Sequence, residues 1–163
     1  MWSWILELVG REAGSPETET GSTPDATGGV ALLVDGPNVL RSEFDLDLND
    51  VRVAGGRLGR LAVARLYVDE DATPGLIQAA EARGFEVVVT SGDVDVKLAA
   101  DATTLVWETQ IDTLAIVSRD TDFKPVIEIA GQRGIRTIAI APGEHGRSDA
   151  LANAADEAVV LDG

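Results

Sequence analysis

The chain of 163 residues contains no cysteine and only one histidine, His145. The lack of cysteine excludes a disulfide scaffold, a thiolate zinc site and a cysteine nucleophile. A single histidine makes a Ser-His-Asp hydrolase or a multi-histidine metal site hard to build. Lysine is scarce too, because the 13 basic residues include only Lys97 and Lys124. The 28 aspartates and glutamates are therefore the only abundant reactive groups.

The excess of acidic residues gives the chain a formal net charge of −15. A soluble domain so acidic and so poor in lysine is typical of halophilic proteins, whose carboxylates stay hydrated while molar salt screens their repulsion. At low salt this charge disfavours nucleic-acid binding, which needs a basic surface. At molar salt the range of electrostatic forces falls to roughly 3 Å, so local contacts and metal ions decide binding. Acidity alone therefore does not exclude a nucleic-acid ligand.

The length and the 45% content of hydrophobic residues predict one folded domain. We expect this domain to span residues 30–163. Residues 13–29 are rich in Gly, Ser, Thr, Pro and Glu, which predicts a flexible linker. Residues 1–12 precede the linker as a short amphipathic segment.

The N-terminal segment has no basic region and no small-residue cleavage site, and Glu7 interrupts its short apolar run. It therefore fits neither a secretory signal nor an integral membrane span, and we expect a cytoplasmic protein. Trp2, Ile5, Leu6 and Val9 share one helical face. This face would pack on the domain, on a protein partner or second copy of the chain, or on a membrane surface.

From residue 30 onward, apolar runs alternate with segments of helical periodicity. We predict helices at 47–60, 73–84, 95–108, 124–133 and 148–155. We predict strands at 30–34, 61–68, 85–90, 113–118, 135–140 and 158–161. Regular alternation with short loops predicts a three-layer α/β sandwich on a mostly parallel sheet of five to six strands.

Acidic residues follow three of the predicted strands. Asp35 ends the first strand, Asp95 lies in the loop after the third, and Asp120 and Asp122 follow the fourth. In a parallel sheet these ends share one edge, where ligands usually bind. Several carboxylates within about 6 Å of each other cannot all stay ionised without a cation. The sequence therefore predicts a divalent metal site, and oxygen-only ligands favour Mg²⁺ or Mn²⁺.

Each acidic residue also has a purely structural explanation. Asp35 begins an Asp-Gly-Pro-Asn sequence typical of turns, and Asp122 or Asp95 would serve to cap a following helix. Asp101 lies about 120° around the helix from Asp95 and would pair with Lys97 at i,i+4. Capping does not explain why three separate strand ends all present acids, so the metal hypothesis is stronger for the set than for any one member.

Four sequence motifs together resemble the NYN domain, a branch of the PIN-like nucleases, and its LabA-like group in particular. The motifs are LVDGPN at 33–38, GDVDVKLAAD at 92–101, SRDTDF at 118–123 and RSDALANAAD at 147–156. The resemblance spans residues 30–161 and implies a PIN-like Rossmannoid fold with strand order 3-2-1-4-5. It also implies a metal-dependent site that acts on single-stranded or structured RNA.

The resemblance also assigns roles to individual residues. Its catalytic and metal-binding quartet corresponds here to Asp35, Asp95, Asp120 and Asp122. Its substrate-binding or supporting positions correspond to Asn38, Ser118, Asp101, Arg119, Ser148 and Asn153. The chain departs from the usual pattern at Arg119, where many members have glycine, and at residues 92–93, where many have lysine just before the helix.

Two functions remain open at this stage. The first is a Mg²⁺- or Mn²⁺-dependent ribonuclease, expected to act as an endoribonuclease. The alternative is a non-catalytic, metal-binding NYN module that acts as a regulatory interaction protein. Chelator-sensitive cleavage would distinguish them. Candidate contacts for RNA phosphates are Arg41, Arg119, Arg133, Arg136 and Arg147.

Overall fold

The computed structural model describes residues 28–40, 46–108 and 110–162. The predicted segment 1–12, almost all of the linker 13–29, and Arg41 lie outside the described residues. The strands are β1 (Val30–Asp35), β2 (Leu61–Asp69), β3 (Glu86–Thr90), β4 (Thr113–Val117), β5 (Arg136–Ala141) and β6 (Glu157–Val160). The helices are α1 (Gly36–Val39), α2 (Leu48–Leu58), α3 (Pro74–Ala82), α4 (Val94–Glu108), α5 (Lys124–Gln132) and α6 (Asp149–Ala154).

The six strands form one sheet in the order β3-β2-β1-β4-β5-β6. All five pairings are parallel. The predicted mixed α/β fold is confirmed, and β6 extends the predicted order 3-2-1-4-5 by one strand beyond β5. Every residue of the central strand β1 is buried. Burial on both faces explains why its sequence is a continuous apolar run rather than an alternating one.

Alternate residues of β1 enter two separate cores. Ala31 and Leu33 belong to the core that α4 and α5 cover. Leu32 and Val34 belong to the core on the opposite face, to which α2 and α3 contribute. The protein is therefore built in three layers, as the alternation of helices and strands predicted.

Two glycines shape α2, which lies within the helix predicted at 47–60. Asp47 caps the helix by accepting a hydrogen bond from the backbone N–H of Asn49 at 2.9 Å. At Gly55 an added Cβ would lie 2.6 Å from Cδ2 of Leu32, so glycine allows the helix to approach the sheet closely. Gly59 then follows the helix with a φ of 148°, a conformation that favours glycine.

The observed boundaries differ from the predicted ones by no more than two residues. Ser118 follows β4 rather than ending it, and Gly36–Val39 forms one helical turn where a simple turn was the alternative. Gly134, which follows α5, has a φ of 77°, a conformation that favours glycine and ends the helix. No helix in the described ranges is long and apolar enough to cross a bilayer.

Candidate metal centre

The sheet topology brings the predicted acids to one edge. Because β1 pairs directly with β4, Asp35 at the end of β1 lies beside the loop that follows Val117. Two acids belong to that loop. Asp120 lies just before a 3-10 turn that spans Thr121–Phe123, and Asp122 lies within this turn. Asp95 reaches the same edge from the first turn of α4.

Three of these side chains form a compact carboxylate cluster. Asp95, Asp120 and Asp122 each offer one oxygen, and these oxygens lie within 4.8 Å of one another. Asp120 also accepts a hydrogen bond from the backbone N–H of Asp122 at 2.9 Å, which fixes the turn. The donor set is oxygen only and partly solvent-accessible, so it suits a hard, partly hydrated cation such as Mg²⁺ or Mn²⁺.

Asp35 lies behind this cluster and is only 1% exposed. Its Oδ2 accepts hydrogen bonds from Nδ2 of Asn38 at 2.6 Å and from Oγ of Ser118 at 2.9 Å. Burial raises the pKa of Asp35 above its usual value, hydrogen bonds from Asn38 and Ser118 oppose the increase, and repulsion from Asp120 adds to it. A buried acid of this kind is costly to keep as a turn residue alone, which supports a functional interpretation.

Ser118 connects Asp35 to the cluster. Its Oγ donates to Asp35 and accepts a hydrogen bond from the backbone N–H of Asp120 at 3.0 Å. The side chain is 2% exposed, so both hydrogen bonds are shielded from water. Arg119 points toward Asn38, with Nε 3.5 Å from its Oδ1. The predicted supporting residues Asn38 and Ser118 thus hold Asp35 and the start of the acidic loop.

The remaining predicted positions lie outside the cluster. Asp101 accepts hydrogen bonds from Nζ of Lys97 at 2.8 Å and from the hydroxyl of Tyr67 at 3.0 Å. Ser148 caps α6 by accepting from the backbone N–H of Leu151 at 3.3 Å. Asn153 is exposed on α6.

Tyr67 was not singled out from the sequence, although it lies next to Asp35 in register. Its ring is fully buried and its hydroxyl bonds to Asp101, so it joins β2 to α4, the helix that carries Asp95. Burial and the neighbouring Asp101 carboxylate raise the pKa of Tyr67 well above its usual value. The only sign of this role in the sequence is a tyrosine within a hydrophobic strand, since a buried tyrosine hydroxyl needs a hydrogen-bond partner.

Most of the arginines proposed as phosphate contacts have partners within the protein. Their observed contacts are Arg133 over the ring of Trp107 at 3.9 Å, Arg136 with Glu157 at 2.6 Å and Arg147 with Asp149 at 3.4 Å. The pair of Arg147 with Asp149 is exposed and weak, so it does not prevent this arginine from turning toward a ligand, whereas Arg136 donates hydrogen bonds to both carboxylate oxygens of Glu157.

The fold and the acidic edge together define an α/β protein with a carboxylate site at the carboxyl ends of parallel strands. A model of the NYN domain matches residues 29–162, so the chain belongs to the NYN domain family. The motif-based prediction of this family is therefore confirmed, and membership associates the fold with the PIN-like nucleases.

The chain is also similar to two individual proteins. The chain is 45% identical over 132 residues to an uncharacterized protein of Methanocaldococcus jannaschii. The match covers 81% of this chain and 55% of that protein, so the chain spans about half the length of this relative. A crystal structure of a protein of unknown function from Vibrio parahaemolyticus is similar with a TM-score of 0.71 and 24% identity. That similarity covers 85% of this chain and 95% of the other and shows a shared fold.

Proposed function

We propose that the protein is a divalent-metal-dependent ribonuclease whose site consists of Asp35, Asp95, Asp120 and Asp122. The observation that carries the proposal is the meeting of three carboxylate oxygens, one from the first turn of α4 and two from the loop after β4, within 4.8 Å at the sheet edge. Helix capping accounts for Asp120 alone, since α5 has no side-chain cap and Asp122 supplies only a backbone donor. NYN domains are generally associated with RNA, which supports RNA as the substrate.

Asp95, Asp120 and Asp122 would hold Mg²⁺ or Mn²⁺ directly, with Asp35 behind them as a further acidic group. A cation there would supply charge neutralisation and Lewis-acid activation for hydrolysis of a phosphodiester. Without it, the carboxylates would repel the phosphate of a substrate.

The chain's own residues contribute positioning rather than a nucleophile. The hydroxyl of Ser118 already donates a hydrogen bond to Asp35 and accepts one from the backbone N–H of Asp120. Ser118 and Asn38 therefore orient Asp35. His145 is exposed in the turn Glu144–Gly146, beyond β5, and we assign it no role. Arg119, beside Asn38, is the basic group closest in sequence to the acids and would contact a phosphate of the substrate.

The decisive experiment is cleavage of labelled single-stranded RNA at molar KCl with Mn²⁺, Mg²⁺ or excess chelator. The test variant is Asp120→Asn, because asparagine caps a turn as well as aspartate does and should leave the loop folded. The matched control is Glu81→Gln, which removes one exposed carboxylate from α3. This helix lies on the face of the sheet opposite α4, the helix that carries Asp95.

We expect wild type and Glu81→Gln to cut RNA only when metal is present. The metal-dependent cleavage rate of Asp120→Asn should be at least a hundredfold lower than that of wild type. Equal cleavage by all three proteins would contradict the assignment of the site. If no protein cuts RNA while Mn²⁺ still binds wild type, the non-catalytic NYN module becomes the correct interpretation.

A further inference from the structure

A small cavity lies beside the acidic site and has no role in the function proposed so far. Its volume is about 120 Å³, and it lies between α6 and the ends of β5 and β6. Ser118 contributes to its wall, and the same hydroxyl bonds to Asp35 and to the backbone of Asp120. The cavity is therefore one hydrogen-bonded residue away from the carboxylates.

Small side chains create this cavity. Ala139 of β5 and Ala158 of β6 are partners in the parallel register, so their side chains lie on the same face of the sheet. Ala141 continues that face on β5, and Ala152 of α6 lies opposite. Ala139 and Ala141 are buried and Ala152 is half-buried, so a larger residue at these positions, or at the more exposed Ala158, would take up part of the space.

The rim of the cavity is polar while its interior is mainly apolar. Leu151 and Val159 are among the apolar lining residues, and Arg147 and Ser148 also line the cavity. The side chain of Arg147 is half exposed, which places it at the opening. An apolar slot with a few polar groups at its mouth is the usual form of a site for a small organic ring.

We propose that this cavity binds a pyrimidine base of single-stranded RNA, adjacent to the phosphate that the acidic site would act on. A closed cavity of about 150 Å³ is known to hold benzene, so this partly open space of about 120 Å³ is close to the size of one six-membered ring and too small to enclose the two fused rings of a purine. The inference rests on the proposed ribonuclease function for the choice of RNA, and it adds a base preference to that function.

The charges around the opening fit a nucleotide in this orientation. Arg147 pairs with Asp149 at 3.4 Å, and Asp149 is 85% exposed, so the pair is weak and the guanidinium is able to turn toward a phosphate. Ser118 then separates the base from the carboxylates. A base inserted from a duplex would first have to leave its stack, so the site favours single-stranded substrate.

Binding of the base is tested first, without any cleavage. Uridine, cytidine and adenosine at millimolar concentration are added in chelator, and backbone amide shifts are followed by NMR. Nucleosides carry no phosphate, so repulsion by the acidic site does not affect them. We expect uridine and cytidine, but not adenosine, to shift the amides of Ala139, Ala152 and Ala158, with a preference of roughly tenfold.

Two variants fill the cavity and one serves as control. Ala152→Leu fills it from α6, and Ala158→Val fills it from β6 with a residue that favours strands. Ala150→Leu adds the same leucine to α6 at a position that does not line the cavity. We expect both filling variants to lose nucleoside binding at least tenfold and to cut RNA without base preference, whereas Ala150→Leu behaves as wild type.

The outcomes for the two proposals can be separated. RNA cleavage without base preference, or equal binding of adenosine and uridine, would overturn the base pocket and leave the nuclease intact. Pyrimidine binding that disappears in the filling variants, together with no RNA cleavage by wild type, would support the pocket and overturn the nuclease. Unchanged uridine binding in Ala152→Leu and Ala158→Val would also overturn the pocket.

Discussion

Replacing Asp120 with asparagine should reverse the order of stability between wild type and variant, depending on whether a divalent cation is present. In chelator the carboxylates of Asp95, Asp120 and Asp122 repel one another, and the substitution removes two of the three repulsive pairs. With a cation bound, the same carboxylates stabilise the folded state through their ligand. The variant should therefore be the more stable protein without metal and the less stable one with it.

The size of the effect follows from the geometry. Two unit charges separated by 4.8 Å in water repel each other by about 0.9 kcal/mol. The two repulsive pairs that Asp120 makes therefore cost about 2 kcal/mol together. Screening at about 0.1 M salt reduces this to roughly 1 kcal/mol. A cation at a hundred times its dissociation constant stabilises wild type by about 2.7 kcal/mol. Wild type should then exceed the variant by roughly 1 to 2 kcal/mol.

Urea unfolding followed by circular dichroism measures this difference, because urea adds no ions. The measurements are made in chelator and in Mn²⁺, at the lowest KCl concentration at which wild type is folded and again at molar KCl. Glu81→Gln is the control for the loss of one negative charge. It should follow the wild-type response to Mn²⁺.

An equal Mn²⁺-induced gain in wild type and Asp120→Asn would refute the reasoning, since the cation would then bind elsewhere. A variant that is less stable than wild type in chelator would show that the carboxylates do not repel as their spacing requires. At molar KCl the advantage of the variant in chelator should largely vanish, because screening acts within roughly 3 Å.

Three further predictions concern single features of the molecule. Ser118→Ala should lower the free energy of unfolding by about 1 to 3 kcal/mol in urea titrations, because the buried Asp35 loses a donor; unchanged stability would contradict this. Folding raises the pKa of Tyr67, the only tyrosine in the sequence. The neutral hydroxyl therefore contributes fully to the free energy of unfolding below the unfolded pKa of about 10, and this contribution is lost as the pH rises above that value. Tyrosinate absorbance should therefore show ionisation only on unfolding, and Tyr67→Phe should reduce the alkaline loss of stability. For the whole chain, a net charge of −15 should make the urea midpoint rise with KCl, and a midpoint independent of salt would argue against the halophilic interpretation.

Much of the fold could be predicted because the sheet leaves a direct mark on the sequence. Residues 30–34 are all apolar because β1 is buried on both faces, and Pro74 and Gly134 mark the start and end of helices. The acids after β1, β3 and β4 converge for a topological reason, namely that parallel strands share one carboxyl edge. These properties depend on local pattern and connectivity alone.

Other features depend on contacts that no local pattern records. Asp35 lies behind the three-oxygen cluster and is held there by Ser118. This position depends on the directions of side chains across β1 and β4, which the sequence does not show. The partner of Asp101 in the core is Tyr67, which lies 34 residues away along the chain. The cavity arises from alanines on three elements, and only the register of β5 with β6 and the position of α6 bring them together.

The pairing of β1 with β4 also determines when the site comes into existence during folding. Val30 pairs with Thr113, and Ser118 bonds to Asp35 across 83 residues. Such distant contacts form late, because a long loop must close before they stabilise the chain. On the ribosome, Asp35 emerges early and stays without its serine partner until the chain has been made well past Asp122. The acidic site is therefore a property of the nearly finished domain, and carboxylate repulsion opposes the same step that closes the sheet.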